Sequence, residues 1–273
     1  MYPELFHLGP ITIRSYGVML AIAFFVGVLY VRNITLRNNK PFDRFLTIAY
    51  IMIFGGVIGA RLFYVLFHLE EFAGNWTSSF NPFGSDEFGI AGLNMYGGVV
   101  VAIIGAFVYC RWKNISTLEV FDYFAPALGL GLGIARIGSF LNGCCFGTPT
   151  DLPWGVSFPP GSIPYAVYFD ARLHPSQLYT SLYGFGLFVF LHQVIKRRKF
   201  IGQVIALMFM IEAIFRFAIE YVRYYEEEMH FHLGGMNPTY NQVISLALFL
   251  LGLGIYIYQR KRGNTGVRAS QAS

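Results

Sequence analysis

The sequence predicts an all-α integral membrane protein, a bundle of seven transmembrane helices. Three observations predict this class: 55% of the 273 residues are hydrophobic, 18% are aromatic and only 13% are charged. The mean hydropathy is +0.50. A soluble domain of ordinary composition carries about 25% charged residues, so this chain has too few charges to cover a water-facing surface.

Seven apolar segments approach or exceed the length of about 20 helical residues that crosses a bilayer core. They are residues 16–31, 45–69, 94–109, 120–141, 177–195, 201–221 and 240–258. We predict a single membrane domain over residues 1–273, with external loops at about 70–93, 142–176 and 222–239.

The basic residues predict the orientation of the chain. Most of the 20 lie in four clusters: Arg32, Arg37, Lys40 and Arg44; Arg111 and Lys113; residues 196–199; and Arg260, Lys261, Arg262 and Arg268. Because basic loops stay in the cytoplasm, the N-terminus is expected outside and the C-terminus inside. The net charge of +5 falls in these short clusters and not along one face, so no nucleic-acid partner is predicted.

The remaining basic residues are all arginine. They are Arg14, Arg61, Arg136, Arg172, Arg216 and Arg223. Arg61, Arg136 and Arg216 fall in the outer halves of predicted spans, where an uncompensated charge costs several kcal/mol. A guanidinium binds phosphate through two parallel hydrogen bonds and keeps its charge on burial. The pattern therefore favours a pocket for an anionic lipid head group, although structural ion pairs or snorkelling would also place arginines there.

Six motifs resemble, in the same order, those of the prolipoprotein diacylglyceryl transferase family. They are IRSYG (13–17), GARLFYVLF (59–67), YGG (96–98), RIGSFLNGCCFG (136–147), HPSQLY (174–179) and RFAIEYVR (216–223). The resemblance implies a seven-span enzyme of the bacterial inner membrane. Its family moves a diacylglyceryl group from phosphatidylglycerol to the lipobox cysteine of a prolipoprotein signal peptide, and glycerol phosphate leaves.

The resemblance also implies a set of site residues. Arg136 and Arg216 are expected to handle the phosphate, and Glu220, four residues after Arg216, is expected to support it or to form a purely structural pair with it. The other positions expected to bind phosphatidylglycerol are Arg61, Tyr16, Ser139, Asn142, Gly97, Gly98 and Gly147. No cofactor or metal is predicted, because His230 and His232 beside residues 226–228 match no common metal-binding spacing.

Four positions depart from the family pattern. Tyr96 stands for a histidine, Ser139 for an asparagine, Cys144 for a glutamate and Glu212 for a tyrosine. Phosphate handling is thus expected to be kept while proton handling differs. The candidates for the general base are, in falling order, Glu220, Glu212, His174 and Tyr96, the last because a phenol titrates near pH 10.

These departures leave alternatives open. One is a divergent relative that uses the same donor and another acceptor; another is a non-catalytic transporter or receptor of anionic lipids. Cys144 and Cys145 are either a nucleophile, a redox pair or two small packing residues. His174 is either a site residue or part of the start of a helix.

Overall fold

The computed structural model describes residues 2–8, 11–72, 94–225 and 238–271. Over these ranges the chain is mostly helical. The helices are α1 (Ser15–Arg37), α2 (Phe42–Phe67), α3 (Met95–Trp112), α4 (Thr117–Asn142), α5 (Ile163–Tyr168), α6 (Ser176–Lys196), α7 (Gln203–Ile219) and α8 (Tyr240–Gln271), with a 3-10 turn at Leu69–Phe72.

All seven segments predicted to span the membrane are helical in the structure. Among the described residues, α1, α2, α4, α6 and the Tyr240–Arg262 part of α8 are long and apolar enough to cross a bilayer. The two others, α3 and α7, are apolar helices of 18 and 17 residues. Large side chains such as Phe54, Ile58 and Phe67 are more than 60% exposed, which suits a lipid-facing surface. The protein is therefore polytopic, while the count of seven spans and the orientation stay predictions.

The all-α prediction missed a β-hairpin at the N-terminal end. Strand β1 (Glu4–Leu8) pairs antiparallel with β2 (Ile11–Arg14), and Phe6 lies opposite Ile13. Two strands of five and four residues are too short to stand out beside spans of high hydropathy, which is why periodicity did not reveal them.

The chain forms two compact units. The first, here called the N-terminal unit, consists of Glu4–Arg14 and Val28–Val120; the C-terminal unit consists of Met1–Pro3, Ser15–Gly27 and Phe121–Ser273. The prediction of one membrane domain over the whole chain stays a prediction.

In the N-terminal unit, α2 and α3 approach closely through glycines. A Cβ on Gly97 would lie 2.3 Å from the Cβ of Phe63, and one on Gly98 would lie 2.7 Å from the carbonyl oxygen of Gly56. The Asn94 side chain caps α3 by accepting the N–H groups of Tyr96 and Gly97. These glycines therefore have a packing role of the kind small residues play between membrane helices.

In the C-terminal unit, a buried carboxylate ties the start of α4 to the start of α7. Asp122 is fully buried, and its oxygens accept hydrogen bonds from the N–H groups of Gly202, Val204 and Ile205 at 2.7 to 2.9 Å. The Arg198 guanidinium lies 3.2 Å away. A carboxylate suits this place because the first N–H groups of a helix lack partners and carry partial positive charge. Arg136 lies near the C-terminal end of α4, and Arg216 lies near the C-terminal end of α7.

Candidate functional site

Three segments of the C-terminal unit are joined by backbone hydrogen bonds beyond the ends of α4 and α7. The N–H of Gly147 donates to the carbonyl of His174 at 3.1 Å, and the N–H of Thr148 donates to the carbonyl of Val222 at 3.0 Å. A Cβ on Gly147 would lie 2.5 Å from the first of these oxygens and 2.6 Å from the second. Only glycine fits between the two strands of backbone, so Gly147 fixes how the segments meet.

An aromatic cluster packs beneath these segments. Phe146, Phe158 and Leu173 are buried, and the Tyr224 ring stacks on Phe146 with centroids 5.3 Å apart. This cluster gives the predicted external loop 142–176 an ordered core. His174 lies at its edge, where its Nδ1 is 3.3 Å from the Tyr179 hydroxyl.

Arg216 is held by a buried network at the end of α7. Its Nε lies 3.3 Å from Oε1 of Glu220, and its Nη2 donates to the Tyr225 hydroxyl at 3.0 Å. The Tyr225 hydroxyl in turn donates to Glu220 at 2.5 Å, and Thr239 and Asn241 donate to the other Glu220 oxygen at 2.7 and 3.4 Å. Burial raises the pKa of Tyr225 above its ordinary value, so the hydroxyl keeps the proton that it donates.

The consequence for Glu220 is that both of its oxygens are occupied. The side chain is 1% exposed and is shared by a guanidinium and three hydrogen-bond donors. This arrangement fits the predicted role of supporting Arg216. Tyr225, Thr239 and Asn241 were not predicted, since each lies outside the motifs that carry the resemblance.

Arg136 differs from Arg216 in having no such carboxylate. In the part of the chain that the structure describes, no carboxylate oxygen lies within 4.0 Å of its guanidinium. Its charge acts instead on the Cys145 sulfur and on the Tyr16 hydroxyl. Arg136 and Arg216 both lie close enough to Glu212 for their charges to act on its carboxyl. Glu212 is therefore within electrostatic range of arginines on two separate helices.

The loop after α4 presents Cys144 and Cys145 as free thiols beside Arg136. The interaction with Cys144, followed by the charges of Arg223 and Arg136, lowers the pKa of Cys145 to about 5. The same contact with Cys145 raises the pKa of Cys144 above its ordinary value. The two shifts have opposite directions, so they favour the thiolate at Cys145 and the protonated thiol at Cys144.

The other predicted residues of the C-terminal unit lie around this pair. The Ser139 carbonyl accepts the Cys144 N–H at 3.1 Å. Asn142 lies within interaction range of Cys144, and Tyr16 within range of both cysteines. The structure thus places Arg136, Tyr16, Ser139, Asn142 and Cys144 near one another, while their role in binding a lipid stays a prediction.

Arg61, Tyr96, Gly97 and Gly98 belong to the N-terminal unit. The Arg61 guanidinium lies 5.6 Å from the centroid of the Tyr64 ring, and Tyr96 is about half exposed at the start of α3. Their assignment to a lipid site stays a prediction.

Two residues that we did not predict lie against the cysteine pair with unused hydrogen-bonding atoms. The buried Nε of Arg223 donates to no acceptor, and the Oε1 of Gln177 accepts from no donor. Buried polar atoms are rarely left so in native proteins unless a ligand or water completes them. The sequence carried a signal for both, because Gln177 is part of HPSQLY and Arg223 ends RFAIEYVR.

In the described ranges, no three His, Cys, Asp or Glu side chains form a group that could hold a metal ion. His230, His232 and residues 226–228 lie outside the described residues, as does most of the predicted loop 70–93. What the described site offers is an excess of guanidinium groups over free carboxylates, a composition that suits an anion.

Comparison with known proteins gives consistent matches over nearly the whole chain. A family model described as prolipoprotein diacylglyceryl transferase matches residues 3–258. The phosphatidylglycerol–prolipoprotein diacylglyceryl transferase of Bordetella avium is 33% identical over 267 residues, covering 96% of each chain. Those of Clostridioides difficile and Finegoldia magna are 32% and 29% identical, covering 96% and 94% of this chain and 97% and 95% of the relatives. The chain belongs to the prolipoprotein diacylglyceryl transferase family.

Proposed function

We propose that this protein transfers a diacylglyceryl group from phosphatidylglycerol to prolipoproteins, the reaction that its relatives are named for. In finer terms, the acceptor is the thiol of the lipobox cysteine in the signal peptide, and glycerol phosphate leaves. The protein is a transferase of a bacterial inner membrane, with seven spans, its N-terminus outside and its C-terminus in the cytoplasm. The seven helices and the alternating basic clusters support this topology.

One observation carries the proposal: Arg136 and Arg216, on separate helices, are both within electrostatic range of Glu212, and no carboxylate oxygen among the described residues lies within 4.0 Å of the Arg136 guanidinium. In the proposed reaction the acceptor sulfur attacks the carbon of the diacylglyceryl group that is joined to the phosphate. The S–C bond forms as the C–O bond breaks, and the electron pair leaves with glycerol phosphate. Negative charge therefore grows on the phosphate oxygens, where fixed guanidinium groups stabilise the transition state more than the ground state.

The Glu220 network supports the same step indirectly. A guanidinium that is already held by Glu220 and Tyr225 needs no reorganisation when charge develops on the substrate. We assign Glu220 to positioning Arg216 for this reason.

The proton of the acceptor thiol goes to a general base. Because both oxygens of Glu220 are occupied, we place Glu212 first among the candidates, ahead of His174 and Tyr96. Only its Oε2 has a described hydrogen bond, from the Tyr183 hydroxyl at 2.8 Å, and it lies beside the two arginines that would hold the phosphate.

The test is transfer of acyl-labelled diacylglyceryl from phosphatidylglycerol to a lipobox peptide by the full chain in proteoliposomes. We expect Arg136→Ala and Arg216→Ala each to lower the rate by at least about a hundredfold. Arg172→Ala is the matched control, because Arg172 is an arginine of the same unit whose side chain, among the described residues, donates to the Pro153 carbonyl alone, at 3.5 Å.

The outcomes separate the alternatives. Saturable binding of phosphatidylglycerol without transfer to any thiol would identify an anionic-lipid receptor and refute the enzymatic proposal. Transfer to another acceptor but not to a lipobox peptide would support phosphatidylglycerol as the donor and refute the lipobox cysteine as the acceptor. Near-normal transfer by both arginine variants would refute the site.

A further inference from the structure

The proposed transferase reaction makes no use of Cys144 and Cys145, although both are partly exposed and lie in the middle of the site. Their backbone is held in place from several sides. The Ser176 hydroxyl donates to the carbonyl of Cys145, and the Gln177 amide donates to that of Cys144, each at 2.8 Å. The third cysteine of the chain, Cys110, is fully buried in α3.

The conformation of Cys145 is unusual for a residue with a side chain. Its φ is 62°, in the left-handed region, which costs an ordinary residue about 1 kcal/mol or more. Such conformations persist where the surroundings hold them and are concentrated at functional sites. Here the two carbonyl contacts supply that hold.

The charges around the pair distinguish its two sulfurs. The charges of Arg223 and Arg136 both act on the Cys145 sulfur. Among the described residues, the buried Nε of Arg223 has no hydrogen-bond acceptor. The adjacent Cys144 thiol lies within interaction range of Cys145 and donates to the carbonyl of Ser139 at 3.7 Å. A thiolate next to guanidinium groups is the reactive form of cysteine, while the neighbouring protonated thiol is placed to react second.

We propose that Cys144 and Cys145 form a redox-active pair, in which Cys145 reacts with a peroxide and Cys144 resolves the product to a disulfide. In the first step the Cys145 sulfur attacks one peroxide oxygen; the S–O bond forms, the O–O bond breaks, and the departing oxygen takes a proton to leave as water or an alcohol. Cys145 is oxidised to the sulfenic acid and the peroxide is reduced.

In the second step the Cys144 sulfur attacks that of Cys145. The S–S bond forms, the S–O bond breaks, and the departing hydroxide takes the Cys144 proton as water. A dithiol reductant restores both thiols by exchange. A disulfide between adjacent residues is strained and therefore easily reduced, which suits a reversible modification.

The experiment treats the reduced full chain in nanodiscs with hydrogen peroxide and follows intact mass, peptide mass and trapping by dimedone. We expect the unmutated protein to lose two hydrogens from the peptide that contains Cys144 and Cys145, to form no lasting dimedone adduct, and to recover its mass with dithiothreitol. Within the same molecules Cys110 serves as an internal standard and stays unmodified.

Three cysteine variants distinguish the roles of Cys144 and Cys145. Cys144→Ser is expected to accumulate sulfenic acid at Cys145, trapped by dimedone, and Cys145→Ser to form neither product. Cys110→Ser is the matched control and should oxidise like the unmutated protein. Equal reactivity of Cys110 and Cys145, or failure of Cys144→Ser to trap dimedone, would overturn the proposal. Because these readouts are masses, they stand whether or not transferase activity is found.

Discussion

The Nε of Arg216 lies 3.3 Å from Oε1 of Glu220, a carboxylate that is almost fully buried at the end of α7. The Tyr225 hydroxyl bridges the same two side chains. Buried ion pairs are stable only when the remaining hydrogen-bonding capacity is satisfied, and Thr239 and Asn241 complete it here. The relationship makes Arg216 a fixed charge, whereas the Arg136 guanidinium has no carboxylate oxygen within 4.0 Å in the described ranges.

Removing the bridging hydroxyl tests this arrangement. In Tyr225→Phe, Arg216 and Glu220 each lose a hydrogen bond that involves a charged group, worth about 1.5 to 3 kcal/mol. We expect kcat/KM for phosphatidylglycerol to fall by about tenfold to a hundredfold, measured as initial transfer rates in proteoliposomes. Tyr221→Phe is the control, because Tyr221 is 70% exposed and its ring contacts Phe217. Equal rates in the two variants would argue against the bridge.

The two carboxyls near Arg216 are expected to differ in kinetics. Glu212→Gln keeps an acceptor for the Tyr183 hydroxyl but removes the proposed base, so kcat should fall by about a hundredfold or more with little change in KM. Glu220→Gln disturbs the position of Arg216 and should raise KM for phosphatidylglycerol as well. If Glu212→Gln retains normal kcat, the base is another residue.

The close approach at Gly147 gives a stability prediction. In Gly147→Ala the new Cβ meets the carbonyl oxygens of His174 and Val222, which are backbone atoms and cannot move cheaply. We expect a loss of about 1 to 3 kcal/mol, measured by thermal unfolding in detergent. In the control Gly186→Ala the added Cβ has no heavy atom within 4 Å. A midpoint for Gly147→Ala that matches this control would contradict the geometry.

The contacts that Asp122 makes between α4 and α7 give a second stability prediction. Asp122→Ala leaves the N–H groups of Gly202, Val204 and Ile205 and the guanidinium of Arg198 without their acceptor. Loss of one partner of a buried ion pair costs about 3 to 5 kcal/mol, so we expect little folded protein in membranes. Asp170→Ala, which changes an exposed carboxylate, should accumulate normally. Normal accumulation of Asp122→Ala would show that the cap is dispensable.

Hydropathy predicted where the helices lie because a span of about 20 apolar residues is a strong local signal. The sequence also allowed us to predict which polar residues lie near one another at the end of α4, because they fall within three helical turns. These residues are Arg136, Ser139, Asn142 and Cys144. What the sequence could not show is pairing at a distance. Tyr225 reaches Glu220, and Gln177 reaches Cys144, only through the three-dimensional path of the chain, and the β-hairpin depends on pairing of strands too short to be recognised alone.

The thiolate at Cys145 and the proposed phosphate site share Arg136, so each should affect the other. Alkylation of Cys145 by iodoacetamide requires the thiolate, which is present above a pKa of about 5 and is lost as pH falls through that value. We expect the rate to be flat from pH 6 to 8 and to be half-maximal near pH 5, measured by peptide mass. Arg223→Gln should move the midpoint upwards, because a neighbouring positive charge is removed.

Phosphatidylglycerol in the nanodisc should slow this alkylation, since its phosphate competes for Arg136, whereas diacylglycerol, which lacks the phosphate, should not. Equal protection by both lipids would mean that acyl chains merely cover the thiol. If neither lipid slows alkylation, the cysteine pair is not part of the lipid site, and Arg136 interacts with the Cys145 thiolate but not with the lipid phosphate.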